Sequence, residues 1–302
     1  MLREKILRKI YFTTLIVFVL FLTSTFSVHK NTSNIEVLYQ TNLSSIYLLD
    51  NNNYLLKVNI SVKDDLMDNI PIVINNLKQG SKHYSGLKGL IPHNTKINNF
   101  TLKDGILDID FSKELLDINQ ELEEKEIESI VFSLLDFKEI NGVRIFVNQK
   151  PLKELLKSNI TVDDVLNKNF GINKEYSINR MDDIKKVVLY YYEEKDDNKY
   201  YVPITKYLNS KDDKIKIIID NLKSNYLVKT NLMSYLNDKI AIESYESLNN
   251  TVTISFKSIN DLELEEPLEE VIYTLSNSII DSNIATRVIF MQDDNIITIK
   301  QK

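Results

Sequence analysis

An internal duplication constrains this chain more than any other feature. Ile72-Val-Ile-Asn-Asn-Leu-Lys78 lines up with Ile217-Ile-Ile-Asp-Asn-Leu-Lys223, and the same offset of 145 sets Leu107, Ile109 and Phe111 against Val252, Ile254 and Phe256. Further on, Ile127–Leu134 matches Leu268–Leu275, and Val143-Arg-Ile-Phe-Val147 matches Thr286-Arg-Val-Ile-Phe290. Four blocks in one order make residues 35–155 and 185–302 two repeats of one domain, joined by a connector at 156–184. A chain of 302 residues suits two domains better than one, because single cores stop growing near about 250 residues.

Within each repeat the hydrophobic period switches between 2 and 3.6. Ile35–Tyr39 and Tyr54–Val62 read as strands, with counterparts at Val187–Tyr191 and Tyr200–Tyr207. A helix is expected over Ile70–Gln79, with Asn69 as its cap, Pro71 in the first turn and Gly80 ending it. Thr95–Leu102 and Ile106–Ser112 form a hairpin around Asp104-Gly105, a step that supplies positive φ. A second helix over Glu123–Phe137 presents Ile127, Ile130, Val131, Leu134 and Leu135 on one face, and Val143–Val147 closes the unit as a strand. The fold class is therefore α+β: a tandem repeat of two similar domains, each a mixed β-sheet packed with two helices. In the connector, Thr161-Val-Asp-Asp164 reads as the capped start of a short helix to Lys168, broken by Gly171. This is not a long flexible tether.

Ahead of the repeats, residues 1–30 combine a basic tip (Arg3, Lys5, Arg8, Lys9) with an uncharged run of 19 residues, Ile10–Val28. At 1.5 Å per residue that run reaches about 28 Å, close to the hydrocarbon thickness of a bilayer. It reads as a transmembrane signal anchor whose cations stay inside, leaving everything after Lys30 extracytoplasmic on a single-pass membrane protein. A cleaved leader, which would make the chain secreted, is the competing reading, although Ser24-Thr25-Phe26-Ser27 matches a cleavage site poorly. Beyond residue 30 the chain holds 32 Lys+Arg against 42 Asp+Glu, a net charge of −10. There is no excess of positive charge to neutralise phosphates, so nucleic acid is not expected as a partner.

The chemistry-bearing residues are few. Without Cys there are no disulfides, thiolate metal sites, catalytic thiol or lipid-modified cysteine. His83 and His93 flank Gly86 and Gly89 but lack a Glu-x-x-His pattern, and read as loop histidines. Asp108 and Asp110 share one face of a strand and read as a solvated stripe rather than an acid–base pair. Acidic runs at Glu121–Glu128 and Asp261–Glu270 suit helix amino termini and lack calcium-loop spacing. No catalytic set, cofactor or metal site is expected. The candidate protein-binding residues are Leu87, Leu90 and Ile91, in the compact Gly86–Thr95 loop, where they either cover the core or form a contact surface. Arg144 and Arg287, at matched strand positions in a chain with five Arg, complete the set. They pair with a carboxylate inside each repeat or make an intermolecular salt bridge.

The run Leu87-Lys-Gly-Leu-Ile-Pro-His-Asn-Thr-Lys-Ile97, continued by Asp104-Gly-Ile-Leu-Asp-Ile-Asp-Phe-Ser112 and preceded by the helix ending Leu77-Lys-Gln-Gly80, resembles the GerMN domain of GerM-type sporulation and spore germination proteins. The second repeat departs from that pattern, with Asn225 for Gly80, Lys257 for Ser112 and no Leu-Ile-Pro signature. The resemblance implies a non-enzymatic, membrane-anchored assembly factor of sporulation or germination. Its partners would be other extracytoplasmic proteins of the mother cell–forespore envelope, including a ring or channel complex. A peptidoglycan-binding or spore-cortex-modifying protein is the alternative.

Overall fold

The computed structural model describes residues 42–80, 86–196, 198–223, 231–236, 240, 242–256 and 267–301. The expected signal anchor at Ile10–Val28 and strand at Ile35–Tyr39 lie outside these residues, as does His83. Among the described residues no helix is long and apolar enough to cross a membrane.

The first repeat runs β1 (Asn42–Leu49), β2 (Leu55–Val62), α1 (Leu66–Asn76), β3 (Ile97–Lys103), β4 (Ile106–Phe111), α2 (Glu123–Leu134), β5 (Gly142–Val147) and β6 (Lys150–Pro151). The connector contributes a two-residue hairpin, β7 (Glu154–Leu155) and β8 (Ile160–Thr161), then β9 (Glu175–Ser177). The second repeat runs β10 (Ile184–Lys195), β11 (Asn198–Asn209), α3 (Lys214–Lys223), β12 (Ile242–Leu248), β13 (Thr251–Phe256), α4 (Pro267–Asp281), β14 (Arg287–Gln292) and β15 (Asn295–Gln301).

Local chemistry accounts for most boundaries. Asp104 and Asp-following Gly105 adopt φ 53° and 77°, so β3 and β4 close as a tight hairpin as expected. α1 begins four residues before the expected start: Asp65 caps it by accepting from the Met67 N–H. The expected cap, Asn69, instead faces back and exchanges two hydrogen bonds with the Lys63 backbone, fixing the end of β2 to the helix. α2 stops at Leu134, three residues short of the expected end. The expected helix from Thr161 to Lys168 is absent; Thr161 pairs with Glu154 in the connector hairpin, and only a 3-10 turn at Lys168–Phe170 follows.

Each repeat has its own four-stranded mixed sheet, in the orders β3-β4-β5-β6 and β12-β13-β14-β15. In each, the central pair is parallel, which requires a crossover, and α2 and α4 supply it. α2 presents Ile127, Ile130, Val131 and Leu134 as expected; together with Leu107, Ile109 and Phe111 of β4 they are buried in one core that also takes in Val252, Ile254, Phe256 and Val271 of the second repeat.

One expectation needs correction. The sheet of each repeat does not contain all its strands, because the first hairpins leave it and join each other. β1-β2-β11-β10 form a third sheet shared by both repeats, with β9 added alongside β11. β2 and β11 meet antiparallel at Lys57 and Tyr201, so the strand order is symmetric about the junction. Burial of both faces demands that the outer edges be satisfied too. On β1 the Ser45 N–H donates to Asp136, the Tyr47 N–H donates to Ser133 Oγ at 2.9 Å, and Ser129 Oγ donates to the Tyr47 carbonyl. On β10 the Val188 and Tyr190 N–H groups donate to Ser282 and Ser278 hydroxyls of α4 and the turn after it. Leu49 and Tyr192 then exchange paired backbone bonds with Lys88 and Met233. Asn42–Lys302 is thereby one compact unit.

Candidate interaction site

The Gly86–Thr95 loop is folded against the end of α1. Ile91 donates to the Leu77 carbonyl and accepts from the Gln79 N–H. A Cβ on Gly89 would lie 2.3 Å from the Leu77 carbonyl oxygen, so only glycine allows this approach. Of the two readings of this loop, the structure has core cover: Leu87, Leu90 and Ile91 are 6%, 2% and 0% exposed. What the loop offers to solvent is polar. His93 and Asn94, with Lys78, Lys96 and Lys113, line an open groove of about 730 Å³ that holds a single acid, Glu114.

Arg144 forks onto Asp108 across the parallel β4–β5 pair, with Nε and Nη2 donating at 2.6 and 2.9 Å. The intra-repeat pairing is the one present here, and it explains why Asp108 sits on the wet face. Arg287 does not repeat it. Register sets Arg144 opposite Asp108 but Arg287 opposite Thr251. Carried across the duplication, the place of Arg144 falls to Ile289, and that of Asp108 to Thr253. The two arginines are therefore two positions out of step, and Arg287 is exposed on the second sheet.

The junction of the repeats carries the densest polar chemistry, none of it read from the sequence. Asn173 of the connector is buried between β2 and β11. Its Oδ1 accepts from the Leu55 N–H, its Nδ2 donates to the Leu55 and Pro203 carbonyls, and its own N–H donates to Glu128 of α2. Lys125 donates to Asn173 Oδ1, and Lys174 pairs with Glu124 and Glu128. Burial raises the Glu128 carboxyl above its ordinary range, and the two lysines oppose that rise.

A second polar contact joins the repeats through Asp50, in the β1–β2 turn, and Glu193 of β10. Both are buried. Asp50 Oδ1 holds the turn by accepting from Asn52 and Tyr54, while among the described residues Asp50 Oδ2 and Glu193 Oε2 have no N–H or O–H donor. Burial, then the neighbouring charge of Asp50, pushes the Glu193 carboxyl up to about 7.

Aromatic rings fill the remaining face. Tyr47 meets Phe132 edge-on at 5.9 Å and Tyr190 meets Tyr273 edge-on at 6.2 Å, one such pair in each repeat. Tyr201 stacks on Tyr273 at 3.8 Å. Lys57 stands among them, 3.5 Å from Asp136. Burial opposes its charge, but Tyr47, Tyr273 and Asp136 outweigh burial and hold the ammonium above its ordinary value. These groups fasten β1, β2, β10, β11 and both crossover helices. Among the described residues no group of three or more His, Asp or Glu is placed to hold a metal ion.

The comparisons with known proteins agree with this architecture. Residues 45–153 match the Germane family, described as sporulation and spore germination. Over these residues the first repeat is similar to Germane domains. Over 258 residues the chain is 26% identical to the spore germination protein GerM of Bacillus subtilis (strain 168), covering 83% of this chain and 70% of GerM. The solved tandem GerMN domains of the Bacillus subtilis sporulation protein GerM superpose with a TM-score of 0.71 at 23% identity, covering 84% of this chain and 92% of that one. That likeness establishes the tandem fold. The Gly-Leu-Ile-Pro loop of the matched segment has a structural task here, the close approach at Gly89. The names of these relatives describe sporulation and germination proteins and mention no enzymatic activity.

Proposed function

We propose that this chain is a non-enzymatic, membrane-anchored assembly factor of sporulation and germination, which binds other extracytoplasmic proteins of the mother cell–forespore envelope. The observation that carries the reading is the shared sheet: β2 and β11 join the repeats into one body that holds two mixed sheets in fixed relation. A scaffold needs such rigidity, because each contact surface is then presented without an ordering cost. Similarity to GerM supports the sporulation setting, and Ile10–Val28 would supply the anchor. Buried polar groups fasten the repeats rather than facing a cleft.

Peptidoglycan binding is the second reading, favoured by the groove of Lys78, His93, Lys96 and Lys113 on an otherwise acidic chain. Immobilised protein is to be incubated separately with solubilised envelope proteins of sporulating cells and with purified cell wall. Retention of a defined set of envelope proteins supports assembly. Retention by the wall alone, lost in a Lys96→Glu, Lys113→Glu variant, would replace it with the second reading.

A further inference from the structure

The molecule closes the edges of its shared sheet with Ser133, Asp136, Ser278 and Ser282. It leaves another edge open. β15 is the last strand in the order β12-β13-β14-β15, so among the described residues one of its sides has no partner strand. Its counterpart in the first repeat, β6, is two residues long and contains Pro151, which cannot donate to a ladder. β15 has seven residues and no proline, and Ile296, Ile297 and Ile299 are 59%, 37% and 40% exposed. A register shift opposite Phe290 and Met291 leaves Ile297 without a β14 partner. Such an edge is a template for another strand.

The face beside it has also lost charge relative to its duplicate. Where the first repeat carries Asp108, Asp110 and Arg144, the second carries Thr253, Ser255 and Ile289. Charge selects the occupant. The chain beyond residue 30 has a net charge of −10, so two such molecules repel over most of their surfaces. Asn295–Gln301 contains no acid and one base, Lys300, and Asp293 and Asp294 form the turn that precedes it. If two such strands pair antiparallel about a two-fold axis at Thr298, Ile297 faces Ile299 twice and Lys300 lies diagonal to Asp294 of the other molecule twice. No like charges stand opposite each other.

We propose that β15 pairs with β15 of a second copy of this chain, antiparallel about Thr298, on the strength of the open edge, its exposed isoleucines and the Lys300–Asp294 complement. The dimer does not depend on the identity of any envelope partner.

The chain has no Cys, so Thr298→Cys introduces a single thiol at the axis. The purified full chain in detergent, oxidised mildly, is expected to form a disulfide-linked dimer. Leu248→Cys, on the opposite edge of the same sheet, is the collision control and should form little. Adding Ile299→Asp should reduce the Thr298→Cys cross-link at least about ten-fold, since a charge is placed opposite an apolar partner. Equal cross-linking at the two thiols, or no effect of Ile299→Asp, would overturn the proposal. Should Thr298→Cys fail to fold, sedimentation of the unmodified chain decides: a concentration-dependent dimer abolished by Ile299→Asp supports it, and a monomer up to about 100 µM overturns it. Protection of β15 amides only on addition of another envelope protein would also overturn self-pairing.

Discussion

Asn173 pairs with Leu55 as one strand residue pairs with another: its side-chain amide accepts from the Leu55 N–H at 2.9 Å and donates to the Leu55 carbonyl at 3.0 Å. The same amide donates to Pro203 at 2.9 Å. One connector side chain thus fills the gap where β2 and β11 part company beyond the Lys57–Tyr201 pair.

Removing that amide leaves three buried backbone groups unpaired. At about 1 to 3 kcal/mol each, Asn173→Ala should cost about 3 kcal/mol or more in urea denaturation. Asn173 has a φ of 49°, a conformation that Gly tolerates better than Ala, so Asn173→Gly separates backbone strain from lost bonds. A near-wild-type Gly variant would show that the hydrogen bonds contribute little.

The serines at the sheet edges make a second prediction. Ser133→Ala and Ser278→Ala each orphan a strand N–H and should each destabilise by about 1 to 2 kcal/mol. Hydrogen exchange should accelerate at Tyr47 in the first and at Tyr190 in the second, with each other's strand unaffected.

The Glu193 carboxyl has a folded-state pKa raised from 4.5 to about 7 by burial and Asp50. The folded chain therefore holds this proton more tightly than the unfolded chain, and its stabilising contribution is full below about pH 4.5 and disappears as pH rises through about 7. Glu193→Gln keeps a donor toward Asp50 at every pH. Its denaturation midpoint should match wild type near pH 5 and exceed it near pH 8. Parallel pH profiles for the two proteins would refute the raised Glu193 carboxyl.

Leu90 of the Gly86–Thr95 loop is buried, so Leu90→Ala should cost about 2 to 5 kcal/mol through the cavity it leaves. Gly89→Ala should also destabilise, because its methyl meets the Leu77 carbonyl. Thermal melts check both. A stable Leu90→Ala variant that loses partner binding would restore this loop as a contact surface.

What the sequence disclosed was local. Alternation along Ile106–Phe111 and the Asp104-Gly105 turn contain their own structural instructions, and both appear as expected. β1 did not announce itself: Ser44 and Ser45 interrupt its apolar pattern, and they are buried because Asp136 and Asn59, far along the chain, bond to them. The shared sheet depends on a pairing between Lys57 and Tyr201, which no local period encodes. Asn173 looked like one connector residue among several, since its partners come from three separate elements. The block that equated Arg144 with Arg287 followed side-chain likeness, whereas strand register follows the buried Val143 and Val288.

The account stands on the two repeats being a single cooperative body. Hydrogen exchange in rising urea tests this most directly, by comparing amides of β4 in the first repeat with those of β13 in the second. The shared sheet predicts that both sets open at one common free energy, and that Asn173→Ala lowers both by the same amount. If β13 opens well before β4, or Asn173→Ala weakens one repeat and spares the other, the repeats are independent domains and the account is contradicted.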